Sequence, residues 1–364
     1  MRVIVLTTSK SISGGARQAL YLAEGLQDLG YPVYFVCYAE CAMGRLVKET
    51  TGLRHIALPP TLFATQKALR SLMPDNEPTI VHAFHNKGVK YAAYIGTYWR
   101  LLGLPVACIA HRGVTSRPGN PLPYLLPGIR AYLVNSKACA ETLPLLWRKG
   151  RCHVVNNSIP KNRIIPLRSR QEMLDELDIP EGCRVIGNVC SDNPLKGAGQ
   201  AIKTFALARR SLPPSRLVVV GVTPEKWQPL CEEFGVAADV KLVPHTNHVA
   251  DYMQLMDILV FPSQFIESQP NVILEGMSMG LPVIAGDIGG IRDLLPPQCL
   301  FDPKNETVIS AKLIELMRNP DVLQQLGREN AEQKDTFSLE NRLNVVLRHY
   351  RQALSEIIKE KRAG

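Results

Sequence analysis

The amino-acid sequence predicts an α/β protein built as two doubly wound parallel sheets. Three observations carry this reading. Short apolar, β-rich runs alternate with amphipathic helical stretches from the first residues onward. The alternation pauses in a polar, basic stretch at 160–181 and then starts again. A chain of 364 residues is also long for one core and comfortable for two.

In chain order, 3–6 and 33–38 read as strands on either side of an amphipathic helix over 16–29. Strands follow at 80–84, 106–111 and 131–135, with a helix over 88–102. The run Val154-Val-Asn-Asn-Ser-Ile-Pro reads as the last strand and exit of this domain, and the 160–181 connector contains a helical segment. The second half places strands at 185–189, 216–220, 240–243, 258–261 and 282–285, separated by helical segments such as 198–210. Residues 338–361 are helical by pattern and end basic. The expected division is 1–165, joined by a terminal helix at 345–364, and 166–344.

Apolar residues make up 46% and charged residues 21%, ordinary for a soluble globular protein. No apolar run reaches the ~18 residues of a membrane span, and the apolar N-terminal run reads as a first buried strand rather than a signal peptide. Nine cysteines show no Cys-x2-Cys pair and no metal-ligand grouping with His, which points to reduced, mostly buried thiols in a cytosolic protein. Charge is unevenly spread: residues 1–170 carry 22 Lys and Arg against 7 Asp and Glu, and the rest carry 20 against 26. The basic half suits an anionic partner, such as an acidic acceptor or an anionic membrane surface, or its cations are simply solvated. No nucleic-acid-binding motif is present.

The most informative stretch is Phe261-Pro-Ser-Gln-Phe-Ile-Glu-Ser-Gln-Pro-Asn-Val-Ile-Leu-Glu-Gly-Met-Ser-Met-Gly-Leu-Pro-Val-Ile-Ala. A buried strand leads through a polar loop into a short helix, so Glu267 and Glu275 fall just past the carboxyl end of a strand, where open α/β sheets bind ligands. With a helix start near Gln269 or Pro270, Glu267 lies on the loop and Glu275 about one and a half turns in. The backbone of Ser268, Gln269, Pro270, Asn271 and Val272 lies between them, with helix N-terminal amides suited to an anion. Carboxylates accept from sugar hydroxyls, so the order hydroxyls, diphosphate, hydroxyls suggests a nucleotide sugar.

The Pro-Ser-x3-Glu-x7-Glu pattern, followed by Met-x-x-Gly-Leu-Pro-Val-Ile-Ala-x-Asp-x-Gly-Gly, resembles the signature of retaining glycosyltransferases of family 4. The resemblance implies a GT-B fold: two Rossmann-like domains facing across a cleft, the first on the acceptor side, the second binding the donor, and the terminal helix crossing back to the first. It implies that Glu267 holds hydroxyls of the donor sugar and Glu275 the ribose. Ser13-Gly14-Gly15 matches the family's Gly-Gly loop toward the donor, with Arg17 where the family often has an acid. His111, at a strand end, matches a His that contacts the donor sugar. Lys196-Gly197 matches half of a diphosphate clamp; where the family's Arg is expected stands Asn188, so that either Asn188 serves as a neutral donor or another residue such as Arg112 supplies the charge. The turn at Pro244 and His245 matches the base-binding backbone. His245 and His248 have the spacing of a metal pair, but nothing completes a site, and no Asp-x-Asp motif is present. Ser263 is placed to cap or shape the loop, and Asp287-Ile-Gly-Gly resembles a structural turn.

The resemblance thus implies metal-free, cofactor-free hexosyl transfer with retention to a hydroxyl acceptor, Glu267, His111 and Lys196 acting on the reacting sugar. A lipid-linked or lipopolysaccharide-core acceptor at the cytoplasmic membrane face would fit the basic half. The rival expectations are a nucleotide-sugar epimerase of the same fold and a non-catalytic nucleotide-sugar-binding subunit.

Overall fold

The computed structural model describes residues 1–74, 77–144 and 150–363. It divides into two compact units, Met1–Ser158 with Leu339–Gly364, and Ile159–Ser338.

The first unit holds strands β1 Arg2–Thr7, β2 Val33–Cys37, β3 Arg54–Ala57, β4 Thr79–Phe84, β5 Val106–Arg112, β6 Ile129–Val134 and β7 Cys152–Val154. All pair in parallel, in the order β3-β2-β1-β4-β5-β6-β7. Its helices are α1 Gly14–Asp28, α2 Ala42–Thr50, α3 Leu62–Ser71, α4 His85–Leu101, α5 Leu122–Leu125 and α6 Lys137–Ala140. The second unit repeats the plan with β8 Arg184–Val189, β9 Ser215–Val220, β10 Val240–Val243, β11 Ile258–Phe261, β12 Val283–Gly286 and β13 Leu300–Phe301. These also pair in parallel, in the order β10-β9-β8-β11-β12-β13. Its helices are α7 Arg170–Glu176, α8 Ala198–Ala208, α9 Pro224–Glu233, α10 Val249–Met253, α11 Asn271–Ser278, α12 Glu306–Met317 and α13 Pro320–Glu332. The last helix, α14 Leu339–Ala363, belongs to the first unit.

The central strands are buried on both faces, so β1 and β11 read as near-continuous Val/Ile/Leu runs, while Gly187 and Asn188 interrupt the run in β8. Short edge strands lack that run: β3 is Arg-His-Ile-Ala and β13 only Leu-Phe, and periodicity alone does not reveal them. In each unit the strand order reverses beside the first strand, at β1/β4 and at β8/β11, and ligands bind such sheets beyond the carboxyl ends at that point.

The connector after Ser158 packs within the second unit. Asp251 Oδ1 accepts from the amides of Leu167 at 2.6 Å and Arg168 at 3.2 Å, and a Ser169/Glu172 capping box starts α7. Helix α14 turns Leu343, Val346, Leu347, Tyr350 and Ile357 into the same core as α1, a helical spacing. The Tyr350 hydroxyl meets His82 Nδ1 at 2.6 Å, and the buried Arg342 donates to the Gln18 carbonyl at 3.0 Å and Oε1 at 2.6 Å. All nine cysteines are free thiols.

Candidate active site

In the second unit the loops after β8 and β11 meet beside the reversal point. The turn Pro194–Lys196 ends at Gly197, which has φ of 101°. A Cβ there would stand 2.9 Å from the Pro262 carbonyl, so only glycine lets this turn lie on the loop after β11. The Leu195 carbonyl accepts from the amides of Gln264 at 2.8 Å and Phe265 at 3.1 Å. Ser263 Oγ is fully buried, 3.3 Å from the carbonyls of Leu195 and Phe265 and 3.4 Å from Glu267 Oε1. This cross-linking brings Lys196 Nζ to 2.5 Å from Glu267 Oε1, with the ammonium 4.4 Å from the Phe265 ring centroid. From the end of β12, the Gly290 amide donates to the Glu267 carbonyl at 2.9 Å. Gly289 has φ of 53°, and a Cβ on it would meet that same carbonyl oxygen at 1.9 Å. The Asp287-Ile-Gly-Gly turn therefore fixes the backbone that carries Glu267.

Glu275 lies on α11, 4% exposed. Its Oε1 accepts from Arg163 Nε at 3.0 Å and Nη2 at 2.8 Å. Arg163 Nη1 donates to the Asn247 carbonyl at 2.5 Å. One guanidinium thus ties the helix carboxylate to the 244–248 turn. Nothing in the sequence singled Arg163 out; its only signal was a cation in a basic connector.

Each half of the second unit's site pairs a carboxylate with a cation. Ser268, Gln269 and Pro270 are buried, Asn271 and Val272 half-buried, and Pro244 and His245 exposed. Pro270 is the N-cap of α11 and offers no side-chain acceptor to the first-turn amides.

Two sequence expectations need correction. Asn188 is fully buried in β8, and its Nδ2 donates to the Val260 carbonyl at 2.9 Å, bridging strands rather than presenting a donor to an anion. The Arg112 side chain is 3% exposed, and every nitrogen of its guanidinium is engaged. Nε donates to Thr142 Oγ1 at 3.3 Å, Nη1 to Asn86 Oδ1 at 2.9 Å and Tyr124 OH at 3.2 Å, and Nη2 to the Ser116 carbonyl. It holds the loop after β5 and is not available as a clamp.

In the first unit, α1 begins at the exposed Gly14 and Gly15, with Ser13 Oγ accepting from the Ala16 amide at 3.3 Å. His85, at the start of α4, carries φ of 65°, a sparsely populated region for such a residue. Its Nδ1 lies 2.9 Å from Thr7 Oγ1, and its Nε2 would stand 3.2 Å from a Cβ on Gly15. His85 therefore packs on the Gly-Gly loop; the sequence reading started the helix later and missed it. His111 is the penultimate residue of β5, 5% exposed and stacked on Phe84 with ring centroids 4.5 Å apart. Burial, with the positive charge of Arg342 nearby, holds its pKa well below the usual histidine range, so the ring is neutral. Among the described residues no group of three or more His, Cys, Asp or Glu side chains comes together as a metal cluster.

The profile described as Glycosyl transferases group 1 matches residues 169–333, and Glycosyltransferase Family 4 matches residues 12–163. The chain belongs to the family 4 glycosyltransferases. It is 29% identical over 190 residues to a D-inositol 3-phosphate glycosyltransferase of Segniliparus rotundus, 49% of this chain and 42% of that one. The chain thus spans under half the length of the curated relatives it matches. A glycosyltransferase from Rickettsia africae superimposes with a TM-score of 0.81 at 14% identity, covering 97% of this chain and 98% of that one. HepE from Anabaena, solved with UDP-glucose, gives a TM-score of 0.77 at 16% identity, covering 99% and 100%. At such identities the likeness is one of fold, and the fold of this family 4 protein is GT-B.

Proposed function

We propose that this family 4 protein moves a hexosyl group from a UDP- or GDP-linked sugar to a hydroxyl acceptor, with retention at the anomeric carbon and without a resident metal. The observation that carries the proposal is the pair of ion pairs Lys196–Glu267 and Arg163–Glu275, both at the carboxyl-end side of the second sheet. Glu275, held by Arg163, takes the ribose hydroxyls, and the turn at Pro244 and His245 receives the base. Lys196 and the first-turn amides of α11 face the diphosphate, and Glu267 takes hydroxyls of the sugar. On this reading donor binding swings Lys196 from Glu267 to phosphate, an electrostatic term available as leaving-group charge develops.

In the reaction the bond from C1 of the sugar to the β-phosphate oxygen breaks as the acceptor oxygen bonds to C1 on the same face. The acceptor proton passes to the departing phosphate oxygen, so no separate general base is needed. The basic first unit would receive the acceptor, lipid-linked or a lipopolysaccharide core, at the cytoplasmic face of the membrane. No helix among the described residues is long and apolar enough to cross a membrane.

HepE holds UDP-glucose, and the Segniliparus relative is named for D-inositol 3-phosphate, so these are the first donor and acceptor to try. The test is thermal shift with a panel of UDP- and GDP-sugars, then acceptor-dependent nucleotide release with and without EDTA, and NMR of the product's anomeric configuration. A donor that raises the melting temperature and releases nucleotide only with acceptor supports the proposal. Inversion, EDTA sensitivity or donor rearrangement without acceptor refutes it.

A further inference from the structure

We infer that the outer face of the layer formed by α3, α4 and α5 docks on an anionic lipid bilayer. The inference rests on the reading of a membrane-borne acceptor and names the surface that would reach it. The three helices cover the same face of the seven-stranded sheet: Leu69, Val89, Trp99 and Tyr124 turn inward to one core with Val81 and Ala83.

Their opposite side should carry mixed charges, as surface helices do. Instead α4 turns Tyr94, Tyr98 and Leu101 outward at a helical spacing, with Leu101 82% exposed. Phe63 of α3 is 77% exposed and Leu122 of α5 63%. The charges on these helices have one sign. Residues 50–74 and 78–140 contain no aspartate or glutamate, while Lys67, Lys87 and Lys90 lie on α3 and α4. Arg70 and Arg100 lie on the same two helices, and Arg100 shares Glu360 with Arg130, at 3.1 and 2.7 Å.

Aromatic rings with a polar end suit the headgroup level of a bilayer, and cations around them suit anionic lipid. A second copy of the same face would set lysine against lysine, so charge complementarity selects the lipid.

The experiment is co-sedimentation of the full chain with phosphatidylcholine vesicles, with and without phosphatidylglycerol, at rising salt. The wild type should pellet on anionic vesicles only and be released by salt. The triple variant Phe63→Ser/Tyr98→Ser/Leu101→Gln and the double variant Lys67→Glu/Lys90→Glu should each partition about tenfold less, with unchanged melting temperature. Equal pelleting on neutral vesicles, variants that pellet like wild type, or a dimer in solution that these variants dissociate would each overturn the inference. Donor-induced thermal shift, read on the same samples, separates the two readings: its absence sinks the transferase proposal, whereas its retention without vesicle binding sinks only the docking face.

Discussion

Arg163 and Glu275, 112 residues apart in sequence, share two hydrogen bonds of 3.0 and 2.8 Å on a single carboxylate oxygen. The third guanidinium nitrogen holds the Asn247 carbonyl. A buried carboxylate is costly unless paired, and here the pairing cation also shapes the neighbouring turn.

Replacing Arg163 by Met should therefore do two things. It strands the Glu275 charge, at a cost of about 3 kcal/mol in unfolding free energy. It also loosens the 244–248 turn, raising the KM for donor while changing kcat less. The double variant Arg163→Met/Glu275→Gln should recover part of the stability and none of the donor affinity. Urea unfolding and steady-state kinetics read both; an additive double variant would show that the pair is not coupled.

Glu267 and Lys196 form an ion pair at 2.5 Å. Glu267→Gln leaves Lys196 free to meet phosphate, so UDP should bind several-fold tighter while transfer falls at least about a hundredfold. Lys196→Met should weaken UDP and transfer together. Calorimetry with UDP decides the matter, and weaker UDP binding by Glu267→Gln would refute the proposed exchange of partners.

Gly289→Ala puts a methyl group against the Glu267 carbonyl, at a backbone conformation L side chains avoid. The expected result is a loss of about 2 kcal/mol or more, with transfer reduced beyond what the stability change explains. Activity measured well below the melting temperature separates the two effects, and an alanine variant of wild-type activity would mean the turn does not support Glu267.

The first unit should be the acid-labile one. Burial lowers the pKa of His55, His82, His85, His111, His153 and His349, the last to about 4. Below the unfolded value near ~6.5 the unfolded chain binds more protons than the folded one, so stability is full above that pH and falls as the medium acidifies. The fully buried His82 and His111 should contribute to that loss as the pH falls below the unfolded value. Hydrogen exchange at the two pH values should show β4 and β5 opening first. Equal protection would show that these rings are already protonated in the fold.

Most of the strands and both domains were legible in the sequence because parallel strands buried on both faces leave unbroken apolar runs. Glu267 and Glu275 were legible because their spacing follows from a strand, a loop and a helix that are contiguous in the chain. Local pattern also placed the helical C-terminus, though not that Tyr350 would end on His82. What tertiary structure alone decided is which distant groups meet. Arg163 reaches Glu275 only because the connector folds back across the second unit. Lys196 meets Glu267 only because Gly197 lets one loop lie on another. Arg112 and Asn188, candidates by position, are consumed by neighbours that no local pattern announces. A side chain's partners depend on long-range packing, whereas periodicity reports only which face of an element is dry.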